Sequence, residues 1–370
     1  MNTNHHLADV LQRFLPSYRQ QYPLSYRQAL TCQHILDCRT AKLGSQQWQC
    51  EACNYEQVQY CSCRDRHCPR CQGQKSQKWI AQQQSQVIHG RYFHLVFTLP
   101  HELNVISQYA PKALYSALFQ AVWQTLSRFA ANRNKHRGQL GLTTVLHTWG
   151  QTLSQHIHLH CLVPGGVLTA ENKWVGVKGQ YLYPVKALST VFRAKMLQVL
   201  RTQQVEIPHT EALMAKSWCV YSKPCLNRPD TVIKYLARYT QKGMMHESRL
   251  TGMDNSHIKF SYKDYHQPGQ TKEMRLTGVE FIRRYLQHIL PKGFMRIRHY
   301  GYLANRCRRR KLALIKTQTE RALQPEKTMD DKPLHGCWQC PECRTGLLKL
   351  VSLRLPTRCN VDALRSPLTG

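Results

Sequence analysis

Apolar and polar positions alternate in some windows of this chain and recur at helical spacing in others. In "HIHLHCLVPGG", residues 156–166, Ile157, Leu159 and Cys161 alternate with His156, His158 and His160. A strand points successive side chains to opposite faces, so the three imidazoles share one face and the apolar residues the other. Pro164-Gly165-Gly166 ends that strand. "LTTVLHTWG" lies just upstream across a short polar connection, which predicts a hairpin. "RYFHLVFTLP" predicts a strand stopped by Pro100. "SHIKFSYKDY" and "TKEMRLTG" predict a later strand pair.

Helical spacing is clearest in "PKALYSALFQAVWQTLSRFAANR". There Leu114, Leu118, Val122, Leu126 and Phe129 form a stripe behind a leading proline. "LSTVFRAKMLQVLRTQQ" and "PDTVIKYLARYTQK" read as amphipathic helices, and "SQKWIAQQQSQVIHG" follows a helical pattern. No internal repeat is evident. Three regions emerge: a Cys- and Gln-rich start, a middle mixing strands and helices, and a basic, polar end.

Charge changes the picture. The 370 residues carry 52 Lys or Arg against 21 acids, a formal net charge of +31. So large an excess points to a polyanionic partner, nucleic acid before an anionic membrane surface. No apolar run is long enough to span a bilayer, and "MNTNHHLADV" lacks the pattern of a signal peptide. A cytoplasmic, nucleoid-associated protein with no membrane partner is expected.

Sixteen cysteines, eight of them between Cys32 and Cys71, point to metal rather than disulfides in a reducing compartment. Cys50-x-x-Cys53 and Cys68-x-x-Cys71 have the spacing of two knuckles around one tetrahedral Zn²⁺. Cys38, Cys63 and His67 remain for a second site, with Cys61 and His34 as further candidates. Arg64, Arg66, Arg70, Lys75 and Lys78 crowd this segment, as a nucleic-acid grip would require. Cys337, Cys340 and Cys343, with Cys359 downstream, can form another zinc site. Without metal, these thiols would be free buried cysteines.

Histidines two apart on a strand can chelate one divalent ion. His158 and His160 are the expected pair, with His156 a bystander. His147, on the partner strand of the hairpin, is the candidate third ligand. Such a site keeps open positions and can polarise a phosphoryl oxygen. Tyr235 and Tyr239 lie four residues apart on one helical face, with Arg238 and Lys242 beside them. Amphipathic helices bury tyrosines routinely, but a basic, metal-bearing chain offers these phenols a phosphate to attack. From Phe281 to Lys311 there are ten Lys or Arg and no acid, Arg296, Arg298 and Arg308 among them. Tyr285, Phe294, Tyr300 and Tyr302 are interleaved, a pattern suited to single-stranded DNA.

Together these segments carry a resemblance. "HLHCLVPGG" resembles the His-hydrophobe-His (HUH) motif of single-strand endonucleases, and "YLARYT" the catalytic helix of their two-tyrosine branch. "CRTAKLGSQQWQCEACNYEQVQYCSCRDRHCPRCQG" is similar to the zinc-binding domain of rolling-circle transposases. "FTLPHELN", "LHTWGQTL" and "EFIRRYLQHILPKGFMRIRHYGYLANR" extend the likeness to the insertion-sequence-ninety-one-like family, from about Cys38 to Arg310.

The resemblance implies an α+β fold, an HUH-type antiparallel sheet with flanking helices. Combined with the three regions above, it divides the chain into a zinc-binding domain over residues 1–75, a nuclease domain over 76–310 and, beyond the resemblance, a basic, Cys-containing tail over 311–370 able to bind zinc. It matches His158 and His160 to metal ligands and Tyr235 and Tyr239 to nucleophiles. Cys38, Cys50, Cys53, Cys63, His67, Cys68 and Cys71 match zinc-domain positions. The implied activity is transposition through single-stranded DNA at element ends and target, by way of a 5′-phosphotyrosine. Mg²⁺ or Mn²⁺ is implied at the active site and Zn²⁺ in the N-terminal domain. With no phosphate-binding loop for a helicase visible, host helicase or replication factors are expected partners. A replication initiator or relaxase of the same chemistry, a zinc hydrolase and a non-catalytic zinc-containing DNA-binding regulator are the alternatives.

Overall fold

The computed structural model describes residues 5–71, 87–88, 90–131, 137–177, 179, 182–225, 243–264, 267, 269–319 and 338–357. Helices α1 (Leu7–Gln21) and α2 (Tyr26–Asp37) open the chain, followed by a hairpin of β1 (Ser45–Cys50) and β2 (Glu56–Tyr60). A capping box starts α2: Ser25 Oγ accepts from the Gln28 N–H at 3.3 Å, and Gln28 Oε1 accepts from the Ser25 N–H at 3.0 Å.

An antiparallel sheet of seven strands forms the centre. Its strands are β3 (Tyr92–Thr98), β4 (Gln139–Trp149), β5 (Gln155–Pro164), β6 (Gly166–Leu168), β7 (Trp174–Gly176), β8 (Val220–Cys225) and, later in the chain, β12 (Ile297–Gly301). The order is β7-β6-β4-β5-β3-β8, and β12 also pairs with β4. The hairpin expected from the alternation is β4–β5, in a register that sets His147 opposite His158.

Helices α3 (Pro111–Ala131) and α4 (Val185–Thr202) cover one face of this sheet. Phe93, Leu95 and Phe97 of β3, Leu142 and Leu146 of β4, and Ile157, Leu159 and Cys161 of β5 meet Leu118, Val122, Phe192 and Met196 there. Phe97 and Phe192 pack edge to face at 5.0 Å. Each such side chain, fully buried, contributes roughly 1.5–3 kcal/mol. Because the apolar residues must face the helices, period two turns His158 and His160 to the opposite face.

A second core holds α1, α2, α5 (Gly278–Leu286) and the sheet of β9 (Leu250–Met253), β10 (His257–Lys263) and β11 (Thr271–Thr277). The strand pair expected from "SHIKFSYKDY" and "TKEMRLTG" is β10–β11. α5 approaches α1 at Gly278, where an added Cβ would stand 2.1 Å from the Phe14 ring. Leu153, in the β4–β5 turn, is buried in this core. Arg249, Arg284 and Gln287 donate to the carbonyls of Gln151, Thr152 and Leu153, which fixes the turn that leads into the histidine strand.

After α6 (Arg308–Thr319), β13 (Trp338–Gln339) and β14 (Leu347–Arg354) join the N-terminal hairpin in a sheet of order β13-β14-β1-β2. The end of the chain, expected as a basic, Cys-containing tail from residue 311, supplies two strands to the N-terminal ribbon.

Candidate active site and zinc sites

His147, His158 and His160 come together on the sheet face away from α3 and α4, with candidate ligand atoms within 4.8 Å of one another. His158 Nε2 and His160 Nε2 are 3.1 Å apart. Two nitrogens bound side by side on a six-coordinate ion at about 2.1 Å would stand roughly 3.0 Å apart. The donor set therefore fits a divalent ion.

The ring states fit as well. His158 Nδ1 lies 2.7 Å from the carbonyl oxygen of His156. A carbonyl only accepts, so Nδ1 carries the proton and Nε2 offers its lone pair. This backbone-anchored arrangement is the usual support of a metal-bound imidazole. Burial, with His156 nearby, pushes His158 down to about 4, and burial with the adjacent imidazoles lowers His160 further. Both rings are neutral at physiological pH.

Trp149 stacks on His147 at 4.7 Å, and the Arg296 guanidinium lies 5.8 Å over the Trp149 ring. Burial, with Arg66 nearby, lowers Arg296 to about 10, which leaves it charged. The His156 side chain is exposed and outside the group. Its carbonyl is what the site uses.

His94 was missed by sequence reasoning. Its Nε2 lies 3.0 Å from His160 Nδ1, and the two rings stack at 5.2 Å. The signal was one imidazole on the outward face of β3, which alone does not distinguish a supporting histidine from an ordinary surface one. Changing His94 to Ala is expected to weaken Mn²⁺ binding about 10–100-fold. Titration monitored by electron paramagnetic resonance tests this, with circular dichroism as the fold control. Unchanged affinity would remove His94 from its supporting role.

A pH dependence follows from the same burial. Protonated imidazole cannot ligate, and with the His158 value near 4 the proton competes only in acid. Mn²⁺ affinity is expected to stay level from about pH 7.5 to about pH 5.5 and to fall below about pH 5, whereas ordinary imidazoles would lose it near pH 6.5. A tenfold drop between about pH 7.5 and about pH 6 would contradict this.

The zinc candidates partition differently from expectation. Cys38, Cys63, Cys68 and Cys71 form one group of thiols; Cys50 and Cys53 join Cys340 and Cys343 in another. The spacing of Cys50, Cys53, Cys68 and Cys71 had suggested a single site. The hairpin prevents this: Cys50 and Cys53 lie at its turn, while Cys63, Cys68 and Cys71 follow its open end. Its strands are five to six residues long, which is roughly 17–20 Å. In the first group Cys71 Sγ lies 3.5 Å from both Cys38 Sγ and Cys63 Sγ. Sulfurs around a tetrahedral Zn²⁺ at about 2.3 Å stand roughly 3.8 Å apart, so this group fits zinc.

His67 is not one of the clustered ligands. Its Nδ1–H donates to Asp65 Oδ1 at 2.9 Å, and its Nε2 accepts from the Leu290 N–H at 3.2 Å. Both nitrogens are engaged, and the Tyr285 hydroxyl donates to the His67 carbonyl. His67 thus ties the zinc loop to the segment leading into β12. His34 is likewise occupied, donating to Asp65 Oδ2 at 3.0 Å. Burial works against the charge of Asp65, but hydrogen bonds from His34 and His67 hold its carboxyl far below the usual range. Cys337 and Cys359 lie outside the described residues.

The basic stretch folds partly inward. Tyr285, Phe294 and Tyr302 are buried, and Tyr300 stacks on Trp123 at 5.2 Å. These rings belong to the cores, not to an exposed stacking surface. Arg298 lies 4.1 Å over Phe119 and 5.0 Å over Phe294, facing the helices. Arg308 is half-buried on α6, while Arg306, Arg309 and Arg310 are exposed. Tyr235, Tyr239, Arg238 and Lys242 lie outside the described residues.

Comparison with known proteins adds a family. The family described as "Putative transposase" matches residues 141–311, and the "Transposase zinc-binding domain" matches residues 10–99. "Putative transposase y4qJ" of Sinorhizobium fredii is 33% identical over 94% of this chain and 95% of its own. The chain belongs to the insertion-sequence-ninety-one-like family of rolling-circle transposases. The "Transposase for insertion sequence element IS801" of Pseudomonas savastanoi is 29% identical to this transposase over 75% of the chain and 70% of that protein. A solved structure of TrwC with a 27-mer DNA comprising its recognition hairpin and cleavage site aligns with 30% of this chain and 44% of that one, at 20% identity and a TM-score of 0.25. Among the described residues of the transposase no helix is long and apolar enough to cross a membrane.

Proposed function

We propose that this transposase cuts and rejoins single-stranded DNA at the ends of its element through a phosphotyrosine. The observation that carries the proposal is the convergence of His147, His158 and His160, with Trp149 stacked on His147 and the Arg296 guanidinium over the Trp149 ring. Mg²⁺ or Mn²⁺ held there would act as a Lewis acid on a non-bridging phosphate oxygen.

The chain's own groups do the rest. The phenolate of Tyr235 or Tyr239 attacks phosphorus, forming a Tyr–O–P bond. The bond from phosphorus to the 3′-oxygen breaks, and that oxygen leaves as a hydroxyl after taking up a proton. The ester is conserved on the enzyme, so a 3′-hydroxyl can reverse the step without ATP. The second tyrosine can cut another strand while the first remains loaded. Arg296 contributes positive charge near the phosphate.

The flanks of the tyrosine segment suit this reading. The chain leaves the sheet at β8, beside β3, and re-enters the second core at Met244 and Met245. Trp149, which stacks on His147, packs against that same core. The exposed Arg306, Arg309 and Arg310 suit the DNA backbone, and unwinding is left to host factors. A regulator without catalysis would have no use for neutral imidazoles aimed at a single point.

The test is cleavage of labelled single-stranded DNA carrying the element's end. Changing Tyr235 and Tyr239 to Phe together is expected to abolish product while leaving binding intact. Single changes show whether one phenol or both react. Full cleavage by the double variant would overturn the proposal.

A further inference from the structure

The second thiol group brings together residues from the two ends of the chain. Cys50 ends β1 and Cys53 lies in the turn to β2, while Cys340 and Cys343 lie in the turn between β13 and β14. β14 runs antiparallel to β1 with Leu348 opposite Cys50 and Arg354 opposite Ser45, so both turns stand at the same end of the ribbon. Cys50 Sγ lies 3.7 Å from Cys343 Sγ, and Cys53 Sγ lies 3.7 Å from Cys340 Sγ. A disulfide would require about 2.05 Å. The observed separations match the roughly 3.8 Å edge of a zinc tetrathiolate.

The two turns are built alike. The N–H of Asn54 donates to the Cys50 carbonyl at 3.2 Å, and that of Arg344 to the Cys340 carbonyl at 3.0 Å. Asn54 and Arg344 both adopt left-handed backbone, with φ of 58° and 57°. Each turn also aims an N–H at a sulfur: Ala52 to Cys50 Sγ at 3.4 Å, and Gly346 to Cys343 Sγ at 3.3 Å. Such bonds favour the thiolate, which is the form that ligates. A Cβ at Gly346 would stand 2.5 Å from Cys50 Sγ, so glycine lets the C-terminal turn reach the N-terminal thiol.

We propose that Cys50, Cys53, Cys340 and Cys343 bind a second structural zinc ion, which joins the C-terminal strands to the N-terminal ribbon. The family's zinc-binding match covers residues 10–99 and so supplies only two of these four ligands. The site is complete only in a chain synthesised past Cys343. Zinc binding releases the thiol protons, so the closure is reversed by acid or chelation.

The test is ¹¹³Cd nuclear magnetic resonance of the full chain loaded with cadmium, in which the chemical shift separates all-sulfur sites from nitrogen-containing ones. Two all-sulfur signals are expected. Labelled cysteine protons should correlate Cys50, Cys53, Cys340 and Cys343 with one of them. Changing Cys340 and Cys343 together to Ser is expected to remove that signal and leave the other, whose survival reports an intact fold. A single all-sulfur signal in the unmodified chain, or both signals in the double variant, would overturn the proposal. Should the variant lose both, the correlations in the unmodified chain decide: Cys340 and Cys343 coupled to a different ion from Cys50 and Cys53, or to none, would also overturn it.

Discussion

Changing His158 to Ala is expected to slow single-strand cleavage by roughly 10²–10⁴-fold, the equivalent of about 3–5 kcal/mol of transition-state charge stabilisation. DNA affinity should change by no more than about twofold, because backbone phosphates are held mainly by Lys and Arg. The size of the effect comes from the position of the ring. His158 sits opposite His147 in the β4–β5 register, with its Nε2 3.1 Å from that of His160. Its Nδ1 proton is fixed on the His156 carbonyl, so no other ring state is readily reached. Alanine removes the donor and leaves the neighbouring ligands poorly completed. Rapid-mixing cleavage assays with Mn²⁺, paired with equilibrium binding, separate the two quantities. Equal losses of cleavage and of affinity would place His158 in DNA binding instead.

Changing Cys68 to Ser is expected to cost about 5 kcal/mol or more, because a structural zinc site contributes folding energy directly. For a unit of this size the midpoint of thermal unfolding would fall by roughly 10–20 °C. Cys38 and Cys68 lie inside the second core, packed with α1, α2 and α5. Removing the ion would leave buried thiols crowded against one another and release the loop that carries Asp65, Arg66 and His67. Arg66 donates to the carbonyls of Pro291 and Phe294, so the loss would extend to the segment feeding β12. Two controls sharpen the result. Cys61, outside both groups, should tolerate Ser with little change. Changing His67 to Ala should weaken packing but leave the zinc content intact. Zinc lost with His67 would restore it to the ligand set.

The histidine site was legible because period two allows only one answer once the apolar face is known. Ile157, Leu159 and Cys161 must face the helices, and the imidazoles then cannot. The turn length brought His147 alongside, and the charge and family likeness supplied the phosphate. What stayed hidden was contact between distant parts of the chain. Cys-x-x-Cys spacing identifies a knuckle but not which other knuckle completes it. The hairpin separates Cys50 from Cys68, and β14 brings in Cys340. Nor does a run of basic and aromatic residues show which side chains fold inward. Arg298 spreads over Phe119 and Phe294, and Tyr285 reaches the His67 carbonyl, because long amphipathic side chains serve in cores as well as on surfaces. His94 gave too small a signal, one imidazole in a mostly apolar strand.

The central claim is that Tyr235 or Tyr239 becomes joined to DNA. Incubation with a single-stranded element end and Mn²⁺, followed by denaturation, proteolysis and mass spectrometry of the DNA-linked peptide, tests it most directly. The expected result is a 5′-phosphate ester on Tyr235 or Tyr239, absent when His158 and His160 are both Ala. A DNA link on any other residue, or no link from folded protein that binds the end, would contradict it.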